Sequence, residues 1–400
     1  MKNVIVVIGF VLIGNFCPLR DAEGAQAVPA PAGQNSAAGE TPVIPPQPPG
    51  VDPQPIPVAD ATNAKKPRGS VVIAPLPVVS PAIGSGLIPV GGYIFQLQEK
   101  DTKSPPSLVG AAGLITDNGS RAIALLTDLY MKENRYELRA IYVNGALAYD
   151  ISGEGYEDGA AGLKLPLKQN GQVLSLTFLR NLKWGIFAGP HFLTGESRIT
   201  LNPSDGPAPP VPQDVGLNTH LTSLGLEVVR DSRPNRFYPE NGSLVEFTAD
   251  FFDDDLGSKY SFQSYTFTFN KYWTVHSKQV LAYNLFLCGT AGDAPFYGKC
   301  IYGTNNQLRG YTAGQYLDDY MFASQVEYRV ALRWRLGLVG FGGIGAVAPG
   351  ASKFRSDQLL PAGGTGVRFL LSRSFHVNLR TDFAWGKDNF TWSVSVGEAF

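Results

Sequence analysis

The stretch SFHVNLRTDFAWG, residues 374–386, decides the fold because its side chains alternate between two unlike faces. One face carries Phe375, Val377, Leu379, Thr381, Phe383 and Trp385, and the other carries His376, Asn378, Arg380 and Asp382. A period of two predicts a β-strand with one apolar and one polar face. In a soluble sandwich the polar face contacts water, whereas in a membrane barrel the apolar face contacts lipid and the polar face lines a lumen.

The same alternation recurs in FASQVEYRVAL, residues 322–332, and in NFTWSVSVGEAF, residues 389–400. Aromatic residues lie near the strand ends, as an interfacial girdle requires, and Phe400 directly follows an alternating strand. These features favour an all-β, transmembrane antiparallel barrel, with Phe400 on the apolar face as a C-terminal assembly signal.

Composition agrees with a β-rich protein. Aromatic residues make up 11% of the chain, and its 45 glycines and 30 prolines suit many turns. Only the N-terminus carries a long apolar run, so a bundle of membrane helices is excluded. The formal net charge of -1 gives no attraction for nucleic acid.

The N-terminal segment predicts export. A positive Lys2, an apolar core and a small-x-small site ending at Ala27 predict a signal peptide over residues 1–27. A lipoprotein signal ending at Cys17 is the alternative, but the bulky Phe16 precedes it. Cleavage after Ala27 leaves Cys288 and Cys300, which an exported chain favours as a disulfide over two free thiols.

The domain organisation follows from changes in composition and in hydrophobic periodicity along the chain. Residues 28–84 are rich in proline and predict a disordered periplasmic tether, and residues 85–400 predict the barrel. We count sixteen strands, the first at 86–98 and the fifth and sixth at 160–168 and 171–181. An even number places both chain ends in the periplasm, the long connections 201–216 and 290–320 outside, and the turns TDNGS (residues 116–120) and DSRPNRFYPENG (residues 231–242) in the periplasm.

The segment LGLEVVRDSRPNRFYPENGSLVEFTADFF, residues 224–252, resembles a strand-turn-strand of the bacterial surface antigen family, the barrel domain of the BamA/TamA superfamily. The residues that match are Gly225, Asp231, Arg233, Asn235, Pro239 and Gly242. The segment LRGY, formed by Leu308, Arg309, Gly310 and Tyr311, resembles the Arg-Gly-aromatic motif of the sixth extracellular loop. The resemblance implies a long loop that folds back into the lumen.

Two departures from the family are visible. No helical periodicity precedes the barrel, so we expect no periplasmic docking (POTRA) domains. Gly343 stands where the family pairs an aspartate with the loop arginine. A guanidinium in a lumen needs acceptors, and we expect Glu327, or Asp382, or both, to receive Arg309. The alternative is a solvated motif in a flexible outer loop.

Other motifs favour structure over chemistry. GFGGIG, residues 340–345, matches a dinucleotide-binding pattern, but no helix follows it. The acidic run DFFDDDLG, residues 250–257, is either a cation site or a solvated strand end. His191, His220, His276 and His376 lack metal spacing. We therefore expect no enzyme activity, no metal and no cofactor.

The resemblance implies an outer-membrane protein of a Gram-negative bacterium. We expect transport or insertion of a polypeptide or lipid through an opening between the first and last strands. The alternatives are a passive or gated pore for small solutes and a structural envelope protein held by its tether. The expected partners are outer-membrane lipid and lipopolysaccharide, the barrel assembly machinery, and a periplasmic partner of the tether.

Overall fold

The computed structural model describes residues 69–400, apart from 81, 99–100, 102, 153, 162–164, 202–217, 304–306, 373–375 and 388. The signal segment 1–27, the lipoprotein alternative at Cys17 and most of the tether lie outside the described residues. Within those residues no helix is long and apolar enough to cross a membrane.

Sixteen antiparallel strands form one closed barrel, which confirms the predicted fold class. Its strands are β1 (Gly69–Ser80), β2 (Gly84–Phe95), β3 (Ser107–Thr116), β4 (Arg121–Met131), β5 (Tyr136–Ile151), β6 (Leu165–Asn181), β7 (Ile186–Leu201), β8 (Asn218–Asp231), β9 (Gly242–Phe252), β10 (Phe262–His276), β11 (Gln279–Gly292), β14 (Tyr320–Ala331), β15 (Leu336–Ala348), β16 (Leu360–Ser372), β17 (Val377–Trp385) and β18 (Phe390–Val396). Each strand pairs with its neighbours along the chain, and β1 pairs with β18 to close the seam. Closure pairs the strand edges that an open sheet would leave bare.

The connections divide the barrel into two ends. The loop end carries the connection 293–319, in which β12 (Cys300–Ile301) and β13 (Leu317–Asp318) form a small hairpin. It also carries the helix α1 (Gly155–Ala161). The turn end carries the connection 232–241, the start of β1 and the end of β18.

The two faces of the wall follow the predicted alternation. On β17, Asn378, Arg380 and Asp382 are buried in the interior, while Trp385 on the other face is 52% exposed. The outer surface carries many exposed apolar side chains, among them Leu224, Leu226, Val326, Leu338 and Trp392. This is the inside-out pattern of a barrel surrounded by lipid.

Near the loop end this pattern inverts. Along β6 the buried inner residues change from Ser175 and Thr177 to Leu167 and Leu165, while the outer residues change from the exposed Phe178 to polar side chains beyond Gly171. The apolar interior of this half continues into a cluster that includes Phe296, Tyr297 and Leu317 of the loop-end connection. The barrel therefore has a polar lumen in one half and an apolar core in the other.

Two predicted boundaries are wrong. Residues 69–80, assigned to the tether, form β1, whose Pro75 lies opposite Pro89 of β2. Proline is tolerated there because β1 is bonded continuously on one side only. The predicted strands 160–168 and 171–181 are one strand, β6. The break predicted at residues 169–170 is absent, since Gln169 and Gly171 lie opposite Leu147 and Gly145 in a continuous ladder with β5.

Adding β1 and merging two predicted strands into β6 leaves the total at sixteen strands. These changes nevertheless move the early turns to the opposite end of the barrel from the one predicted. The turn of residues 117–120, predicted at the periplasmic end, lies at the loop end, where the Asn118 side chain donates to the Ala148 carbonyl at 2.8 Å. The last predicted strand also ends early, at Val396. Gly397, with φ of 86°, turns the chain inward, so Phe400 does not face lipid.

Candidate functional site

The connection 293–319 descends from the loop end into the barrel. A disulfide joins Cys288 of β11 to Cys300 of the hairpin. Between the two strands of the hairpin, Leu308, Tyr311 and Tyr316 are buried in an apolar cluster with residues of β11, β14, β15 and β16. Burial of these side chains anchors the segment against the inner wall, because apolar surface removed from water stabilises the contact.

Arg309, at the tip of this segment, lies between both predicted acceptors. Its Nη1 donates to Asp382 Oδ2 at 3.0 Å and its Nη2 donates to Glu327 Oε2. Its Nε donates to Gln325 Oε1 at 3.1 Å, an acceptor that the sequence analysis did not identify. The guanidinium is 2% exposed, so charge-assisted hydrogen bonds to two strands far apart along the chain hold it in the lumen.

The neighbours of Arg309 in the motif fix the backbone. Gly310 has φ of 114°, and a Cβ there would lie 3.1 Å from the Gly386 nitrogen. Any side chain would therefore be strained and crowded at this position. The hydroxyl of Tyr311 donates to the Pro361 carbonyl at 2.7 Å and accepts from the Lys387 amide at 3.0 Å. The loop is thus tied to β16 and to the β17–β18 turn.

The inner face of β15 explains the absence of an aspartate at Gly343. A Cβ on Gly343 would lie 2.4 Å from the Leu308 side chain, so the loop itself fills this space. Two residues away, the Cζ atom of Arg309 lies 3.4 Å from the centre of the Phe341 ring. The guanidinium therefore stacks on an aromatic ring and takes its carboxylates from β14 and β17. Within GFGGIG, Gly343 and Gly345 leave room for the loop, because a Cβ at either position would clash with Leu308 or Tyr302.

The turn motif meets the same network from the other end. Asp231 pairs with Arg233 and with Arg236, each at 2.9 Å, and the Asn235 side chain accepts from the Tyr238 amide at 3.0 Å. This folds Pro239 into the turn end, where its carbonyl accepts from Arg329 Nη1 at 3.5 Å.

Arg329 connects the turn to the loop. Its Nε donates to Glu327 Oε1 at 2.6 Å, on the carboxylate that also receives Arg309. Its Nη2 donates to the main-chain oxygen of Phe400 at 3.1 Å. The loop motif, the turn motif and the inward-turned Phe400 are therefore joined through one glutamate.

A second buried group extends the network. Arg368 donates to Asp382 Oδ1 at 2.6 Å and to Glu398 Oε2 at 2.8 Å. Directly opposite Arg368, on β17, lies Arg380, whose Nε and Nη1 have no hydrogen-bond partner in the described part of the chain. The charged side chains of this network are Arg309, Arg329, Arg368, Arg380, Glu327, Asp382 and Glu398. Four of these side chains are cationic and three are anionic.

Sequence reasoning missed Arg329, Arg368 and Arg380, although all three alternate on the inner faces of predicted strands. That alternation was the available signal. Alternation predicts that each of these side chains lies inside the barrel, but it does not indicate which residue the side chain contacts.

A polar row on the opposite wall has the connectivity of a catalytic triad. The Ser175 hydroxyl lies 3.0 Å from His191 Nε2, and His191 Nδ1 lies 2.7 Å from Asp250 Oδ1. Asp250 reaches across β8 because Gly225 between them has no side chain. The backbone amides of Ser175, His191 and Asp250 lie within paired strands, so they are not free to donate to an oxyanion. We assign this row to the lumen wall.

The remaining predicted residues lie apart from the network. His376 lies in a turn and stacks on Tyr238, with ring centres 4.2 Å apart. Asp253, Asp254 and Asp255 approach one another on an exposed surface, where the Asp253 side chain accepts from the Asp255 amide. That geometry is typical of a solvated acidic turn.

The described chain is thus a closed sixteen-stranded barrel whose lumen holds a loop anchored through Arg309. The Omp85 superfamily domain matches residues 181–400, and the chain belongs to that superfamily. This membership indicates a protein of the Gram-negative outer membrane.

Solved structures share the fold. BamA from Haemophilus ducreyi lacking POTRA domains 1-3 is similar with a TM-score of 0.54 and 14% identity, over 82% of this chain and 70% of that one. CdiB from Acinetobacter baumannii is similar with a TM-score of 0.51 and 14% identity, over 82% of this chain and 60% of that one. A comparison with curated proteins finds no match.

Proposed function

We propose that the barrel passes or inserts a polypeptide or lipid through its seam, while the Arg309 loop keeps the lumen closed. The observation that supports this proposal is the unequal pairing of β18. It pairs with β17 from Leu379 opposite Val396 to Trp385 opposite Phe390. With β1 it shares one paired position in the described chain, Val79 opposite Val394.

Because β18 pairs less extensively with β1 than with β17, the β1–β18 seam is the place where the wall would open. Each ladder hydrogen bond removed inside a membrane leaves groups that lipid cannot satisfy. Opening is therefore least costly where the fewest bonds are present. A client segment with an unpaired strand edge can then replace the lost bonds by adding to β1.

A cross-link at the seam tests the proposal. The paired variant Val79→Cys with Val394→Cys is reconstituted in liposomes, and insertion of an unfolded barrel client is followed by protease protection. We expect oxidation to stop insertion and reductant to restore it. The matched control, Thr381→Cys with Val394→Cys, joins β18 to β17 instead and is expected to insert the client in both states. Equal insertion by the oxidised seam variant and the control contradicts the proposal.

A second candidate, a pore for small solutes, is favoured by the hydroxyl and amide groups on the inner wall, including Thr266, Thr268, Asn270 and Asn284. Planar-bilayer conductance separates the two functions. A pore predicts steady conductance that rises in Arg309→Gln and is unaffected by the seam cross-link. Transport through the seam predicts low conductance and sensitivity to the cross-link.

A further inference from the structure

A groove of about 1130 Å³ runs across the outer wall of β3 to β8, on the side of the loop end. The side chains that line it point outward. Ile115 and Ile123 are 60% and 56% exposed, whereas the neighbouring Leu114 and Ala122 are buried on the inner face. A concave surface encloses more of a ligand than the convex wall of a barrel does. The groove is therefore a candidate binding site on the outside of the protein.

Strand pairing aligns two arginines across this groove. Arg121 of β4 lies opposite Ala146, and Ala146 lies opposite Asn170. Asn170 in turn lies opposite Arg198 of β7, so the four residues form one row across the sheet. Neighbouring strands are about 4.8 Å apart, and two arginines three strands apart in one row are therefore separated by about 14 Å along the sheet.

Both guanidinium groups are available to a ligand. Arg121 and Arg198 are exposed, and neither forms a hydrogen bond or an ion pair with another described residue. Glu196 is the one acidic side chain among the described residues that line the groove, and Gln172 Nε2 donates to it at 3.5 Å. The groove therefore carries an excess of positive charge, which favours an anionic ligand.

Amide side chains lie between and beside the two arginines. Asn144, Asn170 and Asn218 are exposed, and their side chains have no hydrogen-bond partner in the part of the chain that the structure describes. An amide offers both donors and an acceptor, so it can bond to hydroxyl groups in either sense. The groove thus combines two cations with groups that suit a sugar.

The groove lies directly beside the apolar surface of the barrel. The strands β4, β6 and β8 start at the loop end, and further along them Leu125, Leu176 and Leu224 are exposed on the outer face. In a membrane barrel such an apolar band contacts acyl chains, and the polar surface beside it is level with the lipid headgroups. A lipid at this place would therefore bring its headgroup to the groove.

The separation of the arginines selects among headgroups. A guanidinium binds a phosphate through paired hydrogen bonds, and one phosphate cannot reach two guanidinium groups that are about 14 Å apart. A phospholipid with a single phosphate would thus leave one arginine unused. A diphosphorylated disaccharide places a phosphate at each end of two sugar rings, with hydroxyl groups between them.

We propose that this groove binds the diphosphorylated sugar headgroup of lipopolysaccharide in the leaflet at the loop end. Arg121 and Arg198 each hold one phosphate, the amides contact the sugar hydroxyls, and acyl chains lie along Leu125 and Leu176. The site is independent of the proposed transport function.

Native mass spectrometry of the full-length barrel in detergent tests the site. The probes are lipid A, which is the diphosphorylated disaccharide anchor of lipopolysaccharide, its monophosphorylated form, and phosphatidylglycerol. We expect lipid A to bind about tenfold more tightly than the monophosphorylated form, as one additional charge-assisted contact predicts. Phosphatidylglycerol is expected to bind more weakly than lipid A.

Two variants remove the contacts one at a time. Arg121→Gln and Arg198→Gln are each expected to bind lipid A about tenfold more weakly and to lose the preference for two phosphates over one. Arg180→Gln is the matched control, because Arg180 is an exposed arginine of β6 near the turn end. This control is expected to keep both the affinity and the preference. Folding of each variant is checked by the heat-dependent shift of the barrel in electrophoresis.

Three outcomes overturn the proposal. They are equal binding of lipid A and its monophosphorylated form by the original protein, equal lipid A binding by the two groove variants and Arg180→Gln, and binding of phosphatidylglycerol as tight as that of lipid A. Absence of lipid A binding overturns it as well. Because the groove lies on β3 to β8 and the seam lies between β1 and β18, failure here leaves the transport proposal standing.

Discussion

The Cζ atom of Arg309 lies 3.4 Å above the centre of the Phe341 ring, so an aromatic side chain forms the floor of the arginine site. The carboxylates approach from the sides, on β14 and β17. The position of the ring two residues before Gly343 leaves that glycine free to accommodate Leu308. The loop is thus held by stacking, by charge and by apolar packing at three adjacent points.

Replacing the ring tests the first of these contributions. Phe341→Leu keeps an apolar side chain but removes the π-system, and we expect a loss of about 1–2 kcal/mol from the docked loop. Hydrogen exchange of the amides at 307–316 should accelerate accordingly. Phe390→Leu, on the outer surface of β18, is the control. Unchanged exchange in Phe341→Leu would show that stacking contributes nothing.

Glu327 and Asp382 are expected to differ in which segments become mobile when each carboxylate is neutralised. Glu327→Gln loses pairs to both Arg309 and Arg329, and Arg329 also contacts Pro239 of the turn. We therefore expect faster hydrogen exchange at both 307–316 and 232–241. Asp382→Asn should affect 307–316 and leave the turn protected.

Breaking either buried pair should lower stability by about 3–5 kcal/mol, because a buried charge is left behind. Urea unfolding of reconstituted barrel measures this loss, and Glu196→Gln, an exposed carboxylate, is the control. Charge reversal of both acids together should release the loop completely. A loop that stays protected in the double variant contradicts the assigned pairing.

Gly225 should control the polar row of the opposite wall. A Cβ at this position would lie 2.6 Å from Asp250 Oδ1 and 2.2 Å from the Ala249 carbonyl oxygen. Gly225→Ala is expected to cost about 1–3 kcal/mol by displacing Asp250 from His191. Because part of the cost is the backbone clash, a double-mutant cycle with Asp250→Asn isolates the hydrogen bond. Additive costs would exclude the coupling.

Asp101 should make the β2–β3 connection sensitive to acid. Burial alone would raise the pKa of this carboxyl, but hydrogen bonds from Ser104, Glu133 and Lys103 lower it to about 2. A lowered pKa stabilises the folded loop above the ordinary value of about 3.9, and this stabilisation is lost as pH falls towards 2.

Amide chemical shifts of Ser104 and Glu133 measure this transition. We expect them to titrate together with a midpoint near 2, and to be flat in Asp101→Asn. A midpoint at the ordinary value for aspartate would contradict the role of these hydrogen bonds.

The sequence predicted the barrel class, and it predicted both acceptors of Arg309 because alternation assigns Glu327 and Asp382 to the inner face and the family resemblance puts the loop in the lumen. It did not predict Phe341 as a partner, since the pairing of distant strands sets which inner residues meet. β1 was missed because Pro75 and Pro77 are typical of linkers. Its tolerance of proline depends on a seam that no local pattern reveals.

Because the polar and apolar faces of β6 exchange sides along its length, the same substitution is expected to have opposite effects in its two halves. Serine in place of Leu167 would put a hydroxyl into an apolar core, whereas serine already at position 175 suits the lumen. On the outer face, an aspartate would be harmless at Asn170 and would oppose membrane insertion at Phe178. Along the outer face, the position at which a polar substitution stops impairing membrane insertion therefore marks the edge of the bilayer. Substituting each outward-facing residue of β6 in turn would locate that edge on the protein itself.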